Sequence, residues 1–430
     1  MPVNFLNSPF LTVTDVTETD HDYHIKACAA YDPVNCPTCK HTGLVGFGRN
    51  EQLVKDLPMH GKRVGIYFNT RRYRCKSCGT TFLEKHHEFH PERAMTNRLV
   101  KWIGEQSIKR TFASIAEETG VVEGTIRNIF HDHVEMLEQA VKCETPKWMG
   151  IDEIQMIKPR GFITNVQKNT IVDVLVNRNQ ETFIKFLMGL SDKEKIQYVT
   201  MDMWLPYKNA VNSVLPWATI VIDKFHVVEM VNEALDKARK TMREELTLKQ
   251  KRGLMHDRFV LLKRESTLSG DERIKLDGWV LSYPLLCEAY RIKESFFGIY
   301  EAKTTREAGD AYEQWQKSIP PELTIHFHDL TRAFQNWMPE ILNYFEHPVT
   351  NAYAECLNGL TRVIDRVGRG YSFEALRAKI LFTQSGFNFV GSAANLHDQD
   401  AREPQCIPRE TLNFGSDMET LIRLIEDGKI

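Results

Sequence analysis

Four cysteines stand in two matched pairs, Cys36-Pro-Thr-Cys39 and Cys75-Lys-Ser-Cys78, and three carboxylates sit at or beside apolar runs much further along the 430-residue chain. Each Cys-x-x-Cys makes a tight knuckle whose two thiolates grip one side of a tetrahedral ion, so two knuckles complete one structural Zn²⁺ site. A redox dithiol needs only one pair and a βαβ context, which is absent. Asp152 follows the apolar run Trp148-Met-Gly-Ile151, and Asp202 ends Gln197-Tyr-Val-Thr-Met-Asp202. Glu355 lies within Asn351-Ala-Tyr-Ala-Glu-Cys-Leu-Asn358, which has helical form. A carboxylate buried at a strand end is costly without a cation beside it, and three clustered carboxylates repel one another. Divalent cations reverse this. Mg²⁺ (or Mn²⁺) takes oxygen ligands and binds substrate phosphates, and a pair of such ions clamps the attacking and leaving oxygens of an in-line displacement at phosphorus.

Those carboxylates need strands to hold them. After a turn at Lys158-Pro-Arg-Gly161, the short β-branched runs Phe162–Gln167 and Thr170–Val176 predict an antiparallel meander with the strand carrying Asp152. A helix over Arg178–Leu190, a fourth strand Ile196–Asp202, a short helix Tyr207–Val214 and a fifth strand Thr219–Asp223 follow. Two aspartates on adjacent strand ends and a glutamate on a covering helix form an RNase H-like acidic triad. Glu153, one residue from Asp152, points to the other face of its strand. Asp223 either supports the metal site from behind its ligands or replaces Asp202 among them, and His226 either contacts the scissile phosphate or orients a carboxylate; the plainer reading is that Asp223 caps a helix and His226 enters the core. Asn358 shares the Glu355 side of its helix at i+3. Arg362, Arg366 and Arg369 follow at near-helical spacing, suited to phosphates. The helical, charge-rich stretch from Val227 to about Tyr344 is an insertion, with Trp279, Phe296, Phe297, Trp315 and Trp337 as its core.

Ahead of this domain, residues 36–85 carry ten Lys/Arg against three Asp/Glu, although the whole chain has a net charge of −2. Strand-like pieces Lys62–Phe68 and Arg71–Cys75 between the knuckles predict a zinc ribbon, with Arg63, Arg71, Arg72 and Arg74 offered to DNA phosphates. The stretch Thr111–Phe130 has helix–turn–helix form, with Gly120 in the turn. Its second helix offers Glu123, Thr125, Arg127 and Asn128 to the major groove. Residues 1–30 are weakly patterned, and His86–His90 reads as linker.

In order along the chain, Gly150-Ile-Asp-Glu153, Met201-Asp-Met-Trp204, Asp223-Lys-Phe-His-Val-Val228 and Asn351-Ala-Tyr-Ala-Glu355, with Gly370-Tyr371 downstream, resemble the ISL3 family of bacterial insertion-sequence transposases. The resemblance spans roughly residues 30 to 385. It implies an α/β multidomain chain: an RNase H-like catalytic core with a helical insertion, preceded by a zinc ribbon and a helix–turn–helix. The expected boundaries are an N-terminal segment 1–30, zinc ribbon 31–90, helix–turn–helix 91–141, core 148–226, insertion 227–345, core resumed 346–385 and tail 386–430. The resemblance further implies a DDE triad of Asp152, Asp202 and Glu355 holding two Mg²⁺ or Mn²⁺. It implies binding of the element's double-stranded DNA ends, metal-dependent cleavage that releases a 3′-hydroxyl, transfer of that hydroxyl to target DNA, and a homodimer or larger assembly. Two other readings stand beside it: a non-catalytic DNA-binding regulator, and a nuclease without joining activity. No apolar run reaches a membrane span and no signal peptide is evident, so a cytoplasmic location is expected.

Overall fold

Apolar residues at every second position of Tyr23-His-Ile-Lys-Ala27 build a strand within the first thirty residues, a stretch whose overall pattern is weak. The computed structural model describes residues 6–140, 144–154, 159–243, 247–349, 352–368 and 370–384, without the side chains of 243, 352–358, 360 and 384. The chain divides into two units, Met1–Lys142 and Cys143–Ile430.

In the first unit, β1 (Leu11–Glu18) and β2 (Asp22–Ala29) pair antiparallel. Strands β3 (Leu44–Met59) and β4 (Lys62–Cys75) form one long hairpin, so the two short strands expected between the knuckles are a single strand. The hairpin turns at His60-Gly61, both at positive φ (52° and 75°), as two-residue hairpin turns require. Strand β2 runs parallel to β4, giving the order β1-β2-β4-β3, and β5 (Thr81–Leu83) joins β4 near the second knuckle. Tyr23, Ile25, Ala27, Val54, Val64, Ile66 and Phe68 are its buried core. The His86–His90 stretch packs into this unit, with Phe89 set edge-on to Phe68 at 4.9 Å.

Three helices complete the unit: α1 (Asn97–Lys109), α2 (Phe112–Thr119) and α3 (Glu123–Ala140). Threonine hydroxyls cap the first two, Thr96 accepting from the Leu99 N–H and Thr111 from the Ser114 N–H. Gly120 ends α2 at φ 67°, a left-handed conformation that costs a side-chain-bearing residue more than glycine. Helix α1 approaches α3 closely at Gly104, where a Cβ would stand 2.9 Å from the His133 ring. The helices dock on the hairpin through polar contacts. Lys55 donates to the Gly120 carbonyl, and the buried Asp56 accepts from Arg98 and, at 2.7 Å, from the Thr96 hydroxyl.

In the second unit, β6 (Trp148–Ile154), β7 (Arg160–Asn165) and β8 (Thr170–Leu175) make the expected antiparallel meander. Helix α4 (Gln180–Gly189) leads to β9 (Tyr198–Met201), and α5 (Leu205–Val214) leads to β10 (Thr219–Ile222). Strands β9 and β10 are parallel to β6, giving the sheet order β8-β7-β6-β9-β10. The period of two divides the side chains. Met149, Ile151, Val199, Met201, Ile220 and Ile222 pack on α4 and α5 and on α6 (Lys224–Arg243). Ile154, Phe162 and Val174 pack on the opposite face.

Between α6 and the last two helices lie α7 (Leu248–His256), α8 (Arg258–Leu262), α9 (Gly270–Ser282), α10 (Pro284–Phe297), α11 (Thr305–Lys317) and α12 (Thr324–Leu342). Phe296, Phe297, Trp315 and Trp337 are buried among them and Trp279 is partly so, as the aromatic pattern predicts. Helix α12 kinks at Trp337, where Pro339 interrupts the backbone ladder. Helices α13 (Ala352–Gly368) and α14 (Phe373–Gln384) then cover the second face of the sheet, through Ile364, Leu376 and Ile380.

Candidate active site and nucleic-acid interface

The strand register aligns three aspartates. Gly150 pairs with Thr200 between β6 and β9, and Ile222 with Met201 between β10 and β9. Carried past the last pairing, this register sets Asp152, Asp202 and Asp223 in one row across the carboxyl ends of three parallel strands, where open α/β sheets bind ligands. Asp152 shares the pleat of Ile154, so it lies on the face covered by α13 and α14, and α13 packs against β6. A carboxylate oxygen of Asp152, one of Asp202 and a ring nitrogen of His226 lie within 4.8 Å of one another. Two carboxylates converging at strand ends, with an imidazole against one of them, can hold a divalent cation, their oxygens suiting Mg²⁺ or Mn²⁺.

Asp152 is buried, and one of its oxygens accepts the Glu153 N–H at 2.7 Å. His226, in the first turn of α6, sets Nε2 against Asp202. Burial disfavours the imidazolium, but the Asp202 contact, with Asp223 and Asp152 nearby, outweighs it and lifts the His226 pKa to about 9. Asp223 is buried and accepts the Phe225 N–H at 3.1 Å, the bond of a residue capping α6. His226 thus stands with the acids, while Asp223 both caps the helix and continues their row. Asp202 and His226 open onto a cleft of about 330 Å³ that Glu229, Glu233 and Trp337 also line. The two glutamates escaped the sequence reading, although their spacing after His226 on one amphipathic helix was the available signal. Glu153 faces the other way, as expected: both its oxygens take Arg178 Nη1 at 2.5 and 2.6 Å, and that guanidinium lies 5.0 Å over Trp204.

Glu355 is the fourth residue of α13. Its side chain and that of Asn358 lie outside the described residues, as does Arg369. Arg362 and Arg366 are exposed on the same helix.

The four cysteines do converge. Cys36 Sγ is 3.7 Å from Cys78 Sγ, and Cys39 Sγ is 3.5 Å from Cys75 Sγ. A tetrahedral Zn²⁺ with bonds of about 2.3 Å has sulfur–sulfur edges of about 3.8 Å, so the cradle fits the ion. The knuckles are backbone copies of one another. Cys36 and Cys75 each donate an N–H to the residue five further on, and each accepts one from the residue four further on. That fourth residue, Lys40 or Gly79, has positive φ in both (61° and 70°). Thr80 sets its hydroxyl 3.3 Å from Cys78 Sγ, and this contact helps draw that thiol down to about 6.

The proposed phosphate contacts differ in their surroundings. Arg63 is held by both oxygens of Asp22 at 2.7 and 2.9 Å. Arg71 is held between Asp32 and Glu84. Arg72 and Arg74 are exposed, their guanidinium groups 5.6 and 5.8 Å from the ring of Phe47. On α3, Arg127 and Asn128 are exposed and Thr125 half-buried. Arg127 meets Glu123 at 3.2 Å and lies 4.9 Å over Phe112.

Three family models match successive stretches of the chain. Residues 32–78 match a zinc-finger of transposase IS204/IS1001/IS1096/IS1165. Residues 91–134 match the helix-turn-helix domain of transposase family ISL3. Residues 149–380, more than half the chain, match the DDE transposase domain of that family. The transposase for insertion sequence element IS1001 of Bordetella parapertussis is 22% identical over 326 residues, which are 74% of this chain and 80% of that one. With a zinc ribbon and a DNA-binding helix–turn–helix ahead of a DDE transposase domain, the chain belongs to the ISL3 family of DNA transposases.

Proposed function

We propose that this transposase cuts and joins DNA at Asp152, Asp202 and Glu355, in an RNase H-like core interrupted by the helices that follow α6. The observation that carries this reading is the convergence of the Asp152 and Asp202 carboxylates at neighbouring parallel strand ends, on the face where α13 packs. Two divalent ions, Mg²⁺ or Mn²⁺, supply charge neutralisation at the phosphoryl group and acidify a water when bound there. Asp152 and Asp202 would hold them, and Glu355 would complete the set. His226 holds a proton at Nε2 against Asp202 and orients that carboxylate. Asp223 fixes the start of α6, and so the position of His226.

The zinc ribbon and helix–turn–helix hold the element's ends, with Thr125, Arg127 and Asn128 at base edges. Arg72 and Arg74 suit phosphate contact better than Arg63 and Arg71, whose guanidinium groups are already engaged by carboxylates. Asn358, Arg362, Arg366 and Arg369 serve the DNA beside the triad. The two ends are handled together by a homodimer or larger assembly. No described helix is long and apolar enough to cross a membrane. We place the protein in the cytoplasm, with the DNA it acts on.

The test is strand transfer. Protein, Mg²⁺, a plasmid target and a duplex ending in a free 3′-hydroxyl at the element terminus are expected to give covalently joined product. Cleavage of an uncut end without any joining would leave a nuclease.

A further inference from the structure

We propose that a β-bulge at Phe47-Gly48 is a wedge that enters the minor groove of duplex DNA, with Arg72 and Arg74 gripping the phosphates beside it. The proposal rests on the reading that the zinc ribbon contacts the element's ends. The register between β3 and β4 pairs Gly46 with Tyr73 and then Arg49 with Arg71. Phe47 and Gly48 together therefore oppose the single residue Arg72, which is a bulge, a device that re-aims a side chain. Gly48 has φ +115° with open space where a Cβ would be, so backbone conformation and not crowding reserves this position for glycine. The bulge leaves Phe47 51% exposed, a large apolar side chain in water.

The surroundings name the partner's chemistry. Segments 36–50 and 70–78, which meet at this end of the hairpin, hold six Lys/Arg and no Asp/Glu. Arg71 is committed to Asp32 and Glu84, but among the described residues no carboxylate pairs with Arg72 or Arg74. An exposed phenyl flanked by two guanidinium groups has the composition of an apolar wedge that parts a base step while cations bind the backbone on both sides. A groove about 6 Å wide admits a ring and a strand tip but no helix, which leaves the major groove to α3. An acidic peptide would match the charge but gives Phe47 no base step to enter.

The experiment uses the full-length, zinc-loaded chain and two duplexes, one carrying the terminal sequence of the encoding element and one scrambled. Binding is measured over a salt series, and bending by energy transfer between dyes on the duplex ends. Phe47→Ala is expected to bind the end duplex about tenfold more weakly and to lose the bend, at an unchanged salt slope. Phe47→Leu, still a wedge, is expected to keep the bend. Arg72→Ala/Arg74→Ala is expected to flatten the log–log salt slope by about 1.8, two phosphate contacts at about 0.9 each. Zinc content and circular dichroism monitor folding, and the leucine variant keeps the proposal testable if the alanine variant misfolds. Wild-type affinity and bend in Phe47→Ala would overturn the wedge, as would loss of the bend in Phe47→Leu with the fold intact. If the wild-type chain does not prefer the end duplex, end recognition itself fails, and the wedge with it.

Discussion

Asp152 and Glu153 are chain neighbours that the pleat of β6 sends to opposite faces, and their chemistry follows from that. Glu153 holds Arg178 over Trp204, a fold contact partly exposed to solvent. Glu153→Gln is expected to cost about 1 kcal/mol in chemical denaturation. It should leave end cleavage within a few-fold of wild type. A loss of cleavage comparable to that from replacing Asp152 would put Glu153 among the metal ligands instead. Alternation made this division readable before any fold was known, and the Cys-x-x-Cys spacing did the same for zinc. The fates of Arg63 and Arg71 were not readable. Their partners, Asp22 and Asp32, lie about forty residues upstream, and only the sheet order brings them near.

Elements closed by local signals were legible close to their ends. Threonine caps and Gly120 bound the helix–turn–helix, and apolar β-branched runs marked the five strands of the second unit. Gly120 also meets the ribbon, since Lys55 bonds its carbonyl and a Cβ there would stand 3.0 Å from Arg63 Cδ. Gly120→Ala is expected to destabilise the first unit by about 1–2 kcal/mol, read as a lower thermal midpoint, because the left-handed backbone must be kept. An unchanged midpoint would mean that the turn relaxes freely. Elements that depend on distant partners were missed. Strands β1 and β2 are stabilised by pairing with each other and with β4. The lysine-rich α7 carries little apolar signal of its own, and only Leu254 is buried along it.

Across the chain, the division at Lys142/Cys143 separates the unit that holds the four-cysteine cradle from one with a large core. Strand β4, which ends at the second knuckle, pairs with β2, β3 and β5, so zinc loss should reach beyond the ribbon. Chelation is expected to abolish the melting transition of the first unit and leave that of the second in place. A calorimetric trace indifferent to chelator would remove zinc from the account of stability.

In the proposed reaction the row of aspartates and the helix carrying Glu355 handle a phosphodiester. The direct measurement is cleavage of an end-containing duplex in Mg²⁺ by the wild-type, Asp152→Asn and Glu355→Gln proteins, with DNA binding measured in parallel. Each variant should bind as wild type does and cleave at least about a thousandfold more slowly. Either variant nicking DNA at the wild-type rate would contradict it.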